Sequence, residues 1–179
     1  MKNIIPPHNV VSLECKLEDI DQIYKDSVDM LRMCHERRGR MGGAFAISHP
    51  QIERTDPLRF FVYKNGRIIC NPKITRHTKT TVDSEEFCYT FFYMEKPGKV
   101  QRWNVIEVLY QELINDKFVA KKEKITGKEA RVWQHELDHL DGVYVYEVDF
   151  EALEKEEREY QEKKNVEEPI VNQSIDLLQ

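Results

Sequence analysis

Two histidines and a glutamate in the pattern HExxH are the residues of this chain best suited to chemistry. Histidines four residues apart lie on one face of a helix, so His135 and His139 can bind one metal ion. Glu136 lies at the edge of that face, where its carboxylate can take a proton from a metal-activated water without being a ligand. The pattern therefore predicts a metal site with its own general base.

The third metal ligand stays open when the residues alone are considered. Metzincin-type proteases place a third histidine six residues after the second, but Val145 occupies that position here. A thermolysin-like metallopeptidase would use Glu159, which belongs to the charged run 154–159, a pattern typical of a solvated helix face. Cys88 is the other candidate, because a thiolate is a strong ligand for soft and borderline metals.

Local signals predict the helix that carries these residues. Thr126 and Glu129 have the spacing of a capping box, apolar residues recur over 130–140, and Gly142 is a typical C-terminal stop. A first helix is expected from about residue 20 to residue 39, again from helical spacing.

Strands are predicted around two turn signals, Asn65-Gly66 and Asn115-Asp116. They cover residues 44–47, 60–63, 67–70, 102–110 and 117–120. A helix, several strands and then the HExxH helix predict an α+β fold, with mainly antiparallel sheets packed around that central helix. Residues 1–149 are expected to form the catalytic domain, and residues 150–179 a charged C-terminal helix and a flexible tail.

Four segments resemble motifs of the peptide deformylase family. Residues 134–142 match its QHExDHLxG motif, and residues 86–90 are similar to a changed form of its EGCLS motif. Residues 42–49 correspond to GxGxAAxQ, and residues 71–74 to NPxI. The resemblance covers about residues 19–145.

This resemblance implies a ligand set, a cofactor and a reaction. The ligands would be Cys88, His135 and His139, with Glu136 as the general base. Fe²⁺ is implied as the native metal, and Zn²⁺, Ni²⁺ or Co²⁺ as replacements. The implied reaction is removal of the formyl group from N-formyl-methionyl nascent chains, which releases formate, with the ribosome as a candidate partner.

The resemblance also implies an oxyanion site and a substrate cleft. His49 stands where the family has glutamine, with Gln51 as the alternative after a local bulge, and the backbone N–H of Tyr89 would be the second donor. Phe87 and Ala44 replace glycines of the family and Tyr89 replaces a leucine, so the shape of the cleft differs. The residues expected to bind substrate are Gly42, Gly43, Ala44, Arg131 and Val132.

Arg131 is the least expected of these cleft residues. It lies four residues before His135, on the same helix face, where the family has an apolar residue. Its guanidinium could reach solvent, pair with Glu85, or line the methionine pocket. We expect Arg131 to narrow or polarise the cleft mouth while methionine remains the first side chain.

Composition limits the other functions open to the chain. Its 179 residues are 40% hydrophobic and 33% charged, as expected for one sizeable core. A net charge of -5 argues against general binding to nucleic acid or anionic membranes. With no signal sequence or apolar span and four unpaired cysteines, a cytoplasmic protein is expected. Two alternatives stay open, a metallopeptidase using Glu159 and a metal-binding protein without turnover.

Overall fold

The computed structural model describes residues 1–39 and 41–167, which fall into two units, Met1–Val148 and a second unit from Asp149. The elements in chain order are α1 (Ile20–His35), β1 (Ala46–Ser48), β2 (Phe60–Tyr63), β3 (Ile68–His77), β4 (Thr81–Glu86), β5 (Gly98–Trp103), β6 (Val105–Ile114), β7 (Lys117–Thr126), α2 (Gly127–Leu140) and α3 (Phe150–Glu167). The predicted α+β class with mainly antiparallel sheets is confirmed.

The strands form one large sheet and one small one. The large sheet has five strands in the order β1-β2-β3-β6-β7, and every neighbouring pair is antiparallel. The other two strands, β4 and β5, form a separate antiparallel pair. Both predicted turns occur, with positive φ at Gly66 (87°), Asn115 (48°) and Asp116 (60°), as tight hairpins require.

The core lies on both faces of the large sheet, between α1 and α2. On β2, Phe60 and Val62 pack into a cluster with Ile23 and other residues of α1, whereas Phe61 packs on Trp133 of α2. Alternate side chains of a strand point to opposite faces, so this short strand is buried on both sides. The sheet therefore packs against α2 and fixes the position of the functional residues on this helix.

The predicted ends of α2 are partly right. Thr126 is the N-cap residue, but no side chain makes a cap hydrogen bond, so the predicted capping box is not formed. The N–H of Gly127 instead donates to the carbonyl of Asn104 at 2.8 Å. Gly142 ends the helix with φ 72°, and a Cβ there would lie 2.7 Å from the carbonyl oxygen of Asn9. Only glycine suits that position, because the conformation is left-handed and the N-terminal segment passes close by.

Two element boundaries differ from the prediction. The first helix ends at His35, because Glu36 is extended with ψ 141°. The predicted strand 102–110 is two strands that belong to different sheets, β5 and β6, with Asn104 between them. A change of sheet leaves the alternation of side chains intact, and the sequence pattern therefore does not reveal it.

The second unit begins with the charged helix α3. The predicted tail from residue 168 onward lies outside the described residues. Among the described residues, no helix is both long and apolar enough to cross a membrane.

Candidate metal centre and active site

One thiol and two imidazoles meet beside α2. His135 and His139 lie on one face of α2, and Cys88 follows the end of β4. Sγ of Cys88 is 3.2 Å from Nε2 of His139, which is 3.2 Å from Nε2 of His135. The three donor atoms lie within 4.8 Å of one another, and Cys88 and His139 are buried. A Cys-His-His set of this kind fits a divalent metal ion and leaves room for further ligands.

The electrostatics of the thiol favour the form that binds metal. Burial alone would raise the pKa of Cys88, but His139 and His135 outweigh burial and hold this pKa well below its usual value. This shift favours the thiolate, which is the form of cysteine that binds a metal ion. Nδ1 of His139 is buried and has no hydrogen-bond partner among the described residues.

A partly buried chain of charged residues orients the first histidine. Nδ1 of His135 lies 3.0 Å from Oε2 of Glu86, so this N–H donates to the carboxylate and Nε2 is the nitrogen left for a metal ion. Glu86 in turn accepts two hydrogen bonds from Arg102, at 3.0 and 2.8 Å. Arg102 also donates to Asp138 at 2.6 Å. Burial opposes a charged Glu86, but the hydrogen bonds of His135 and Arg102 prevail and lower its pKa to about 2. Such partners behind a ligating histidine fix its tautomer and ring orientation.

Glu136 is buried beside the thiol and the two imidazoles, and a serine hydroxyl holds its carboxylate. Oγ of Ser48 donates to Oε2 of Glu136 at 2.6 Å and lies 3.1 Å from its backbone carbonyl oxygen. Burial raises the pKa of Glu136, although the neighbouring histidines oppose that shift. A carboxylate with a raised pKa at a metal site suits a group that takes up and returns a proton.

A cavity of about 310 Å³ opens next to Glu136 and His135. Of the residues expected to bind substrate, four line it: Gly43, Ala44, Arg131 and Val132. Gly42 is not among its lining residues, and its role in substrate binding stays a prediction. Most of the other walls are apolar and include Met41, Phe45 and Phe87.

Arg131 lines this cavity without an ion pair. Its Nε is buried and has no hydrogen-bond partner, and no carboxylate among the described residues pairs with its guanidinium. Glu85, the expected partner, has its carboxylate 3.9 Å from Nζ of Lys99.

His49 does not reach the cavity, which corrects its predicted role as an oxyanion donor. Its Nδ1 accepts the backbone N–H of Leu58 at 2.8 Å, and its Nε2 donates to Asp26 at 3.0 Å. The ring stacks on Phe60, and only 1% of the residue is exposed. Both nitrogens are therefore engaged on the α1 side of the sheet.

His49 and Gln51 lie in one 3-10 turn, His49–Gln51, and Gln51 is the one of the two that lines the cavity. Its Oε1 accepts the N–H of Ser48 at 2.8 Å, and its Nε2 donates to Oγ1 of Thr90 at 3.0 Å. The amide therefore bridges the turn at 49–51 to the turn that follows Cys88.

Comparison with known sequences identifies the family. The sequence model of polypeptide deformylases matches residues 7–159. The chain belongs to this family. The peptide deformylase of Thermus thermophilus is 30% identical over 158 residues, which cover 80% of this chain and 76% of that protein. The peptide deformylase of Thermotoga neapolitana is 36% identical over 102 residues, or 55% of this chain and 58% of that protein. The chain thus spans little more than half the length of the second relative.

Solved deformylase structures share the fold. The crystal structure of peptide deformylase from Thermotoga maritima has a TM-score of 0.63 and 27% identity, covering 81% of this chain and 95% of that one. A plant peptide deformylase PDF1B has a TM-score of 0.66 at 20% identity, with 92% and 93% covered, and this second likeness concerns the fold alone.

The family's GxGxAAxQ motif fits this deformylase-family chain when its glutamine is Gln51. The motif then covers residues 44–51, two positions later than predicted. Ala44 and Ala46 replace its two glycines, and Ser48 and His49 take its two alanine positions. The contacts of Ser48 with Glu136 and of Glu86 with His135 could not be predicted from the sequence, because the two residues of each pair lie far apart in the chain. The glutamine at residue 51 was the signal in the sequence that could have given this alignment of the motif.

Proposed function

We propose that this chain is a peptide deformylase, a metal-dependent hydrolase that removes the formyl group from N-formyl-methionyl peptides. The observation that carries the proposal is the cluster of Cys88, His135 and His139, with Glu136 beside it at the cavity. Nothing in this set requires Glu159, the ligand of the metallopeptidase alternative, whose carboxylate lies 3.9 Å from Lys155 of its own helix.

The metal would be held by Cys88, His135 and His139, and when bound it supplies Lewis-acid polarisation of water and of the formyl carbonyl. Glu136 takes the proton of the attacking water, and Ser48 keeps its carboxylate turned towards the cavity. The water oxygen bonds to the formyl carbon, the C–N bond breaks, and Glu136 returns the proton to the leaving amine. The products are formate and a free N-terminal amine.

The negative charge that develops on the formyl oxygen needs donors besides the metal. We assign this role to the side-chain amide of Gln51 and to the backbone N–H of Tyr89, the residue after Cys88. Gln51 takes over the role predicted for His49. Its Oε1 is fixed by the Ser48 N–H, so the amide group cannot rotate freely.

The identity of the metal and the natural partners follow from the same proposal. Fe²⁺ is the proposed native metal, and Zn²⁺, Ni²⁺ or Co²⁺ would be accepted by the same ligands. The proposed substrates are nascent chains that begin with formyl-methionine, met at the ribosome in the cytoplasm.

Formate release from formyl-Met-Ala-Ser tests the proposal. We expect turnover by the metal-loaded protein and a loss of several orders of magnitude in Glu136→Ala, with the metal content unchanged. Mass spectrometry of the peptide products separates the alternatives. Cleavage at an internal peptide bond would indicate a metallopeptidase, and an intact formyl peptide with a fully loaded metal site would indicate a protein without turnover.

A further inference from the structure

The second histidine of the metal centre lacks the hydrogen bond that fixes the first. Nδ1 of His135 donates to Glu86, whereas Nδ1 of His139 is buried and has no partner among the residues that the structure describes. A ligating histidine commonly donates its other ring N–H to an acceptor, and this bond fixes the orientation of the ring. Within the described chain, the orientation of His139 therefore depends on packing.

Tyr144 supplies an aromatic wall for this packing. The centroid of its ring lies 4.9 Å from that of the His139 imidazole, with 60° between the planes. The ring of His135 contacts the same imidazole at 4.8 Å and 85°. Tyr144 also packs edge-on against Phe91, at 5.5 Å and 80°, in the turn that follows Cys88. One tyrosine ring thus contacts a ligand on α2 and the turn next to the thiol ligand.

The N-terminal segment holds the hydroxyl of Tyr144. This hydroxyl donates to the backbone carbonyl of His8 and accepts the backbone N–H of the same residue, both at 3.2 Å. His8 is itself buried, and its Nε2 donates to the carbonyl of Pro50 at 2.8 Å while its Nδ1 accepts the N–H of Val10 at 3.3 Å. The tyrosine ring therefore cannot move away from His139 without breaking two hydrogen bonds to an anchored residue.

We propose that Tyr144 is a positioning residue of the metal centre, whose ring holds the His139 imidazole in the orientation that binds the ion. Tyr144 is not among the residues that line the cavity, so it acts on the ion through His139 and not on the substrate. It lies two residues beyond the QHExDHLxG segment, and the resemblance to the family gave it no role. The inference rests on the metal centre of the proposed function.

Titration of the full-length metal-free protein with Co²⁺ tests this role without any turnover. Co²⁺ is a suitable probe, because its visible absorption bands depend on the geometry of its ligands. Tyr144→Leu should lower the affinity for Co²⁺ about tenfold in a chelator competition, the usual size of loss for a partner behind a metal ligand, and should shift these bands. Tyr144→Phe keeps the ring and should restore the wild-type bands and most of the affinity.

Tyr146→Leu is the matched control. Tyr146 is also partly buried and packs in the same cluster as Cys88, with its ring 5.0 Å from that of Phe91. Its hydroxyl likewise donates to a backbone carbonyl, that of Lys96, at 3.0 Å. No ring contact joins it to His139 in the described part of the chain. Tyr146→Leu should therefore lower the free energy of unfolding in urea without changing the Co²⁺ bands or affinity.

Three outcomes would overturn the inference. They are wild-type bands and affinity in Tyr144→Leu, equal changes of both in Tyr146→Leu, or an equal loss in Tyr144→Phe and Tyr144→Leu, which would assign the effect to the hydroxyl. If Tyr144→Leu does not fold, Tyr144→Met replaces it, because a methionine fills such a space flexibly.

Formate release separates this inference from the proposed function. If the wild type binds Co²⁺ but releases no formate from formyl-Met-Ala-Ser, the proposed function fails, and the Co²⁺ comparison still decides the role of Tyr144. If the wild type is active, Tyr144→Leu at saturating metal should lower kcat and leave KM unchanged, because Tyr144 lies outside the cavity lining. A higher KM with unchanged kcat would place Tyr144 in substrate binding and overturn its assigned role.

Discussion

Replacing Gln51 or His49 by alanine separates a residue that acts on substrate from one that stabilises the fold. Gln51 lines the cavity, so Gln51→Ala should lower kcat by about a hundredfold, the usual loss for one oxyanion donor. The KM for formyl-Met-Ala-Ser should change little, since the charge develops only during the reaction.

His49→Ala should act mainly on stability. It leaves the Leu58 N–H without its acceptor, takes one donor from the buried Asp26 and removes the ring stacked on Phe60. A lost buried partner costs about 1–3 kcal/mol and the cavity adds to it, so the free energy of unfolding should fall by about 3–5 kcal/mol. We expect kcat to fall less than tenfold, because the N–H of Ile5 still ties the turn at the Gln51 carbonyl.

Urea unfolding measures the effect on stability, and steady-state formate release measures the effect on kcat. Both are measured at one temperature well below the thermal unfolding transitions of the two variants. Asp26 keeps contacts with Lys2 and Gln22 in the His49 variant, which should allow it to fold. A hundredfold loss of kcat in His49→Ala together with full activity in Gln51→Ala would refute the assignment and restore the sequence-based alignment.

Four further outcomes are expected. Cys88→Ala should lower metal content measured by atomic emission, because one of three protein ligands is lost; normal content would place the third ligand elsewhere. Arg102→Met should weaken metal binding about 10- to 100-fold in a chelator competition, since it releases the carboxylate that orients the first histidine; unchanged affinity would make that ion pair purely structural. Ser48→Ala should lower kcat about tenfold at unchanged KM and metal content, because Glu136 loses its orienting hydrogen bond; a change in KM alone would argue against this role. Burial lowers the pKa of His49 despite its hydrogen bond to Asp26, so below about pH 6.5 the unfolded chain binds more protons than the folded chain. The free energy of unfolding, measured by urea titration, should therefore fall on acidification by at most about 1.4 kcal/mol per pH unit. An equally steep fall in His49→Gln would exclude this histidine as the cause.

The parts of the site that depend on short-range spacing could be predicted from the sequence. His135, Glu136 and His139 follow from the helical period, and the hairpin at Asn65-Gly66 follows from turn chemistry. Cys88 needed the resemblance to the family, because nothing local relates it to a helix that begins far along the chain.

The orientation of side chains in irregular segments could not be predicted. His49 and Gln51 are both able to donate a hydrogen bond, and they lie in one short 3-10 turn. Which of them faces the cleft depends on Asp26 and Leu58, which engage both ring nitrogens of His49 from other elements. The contact of Ser48 with Glu136 spans 88 residues, and no periodicity in either segment records it.

Because Cys88 is far from α2 in the chain, a metal ion bound at the proposed site would also stabilise the fold. Cys88 lies in the connection between β4 and β5, whose two-stranded sheet is separate from the five-stranded sheet. It lies 51 residues before His139, so an ion held by both closes a long loop, as a disulfide would. By that analogy the cross-link would remove about 4 kcal/mol of chain entropy from the unfolded state. Under the proposed function, the ion would therefore also link the β4–β5 connection to α2, and removal of the metal should lower both the activity and the free energy of unfolding.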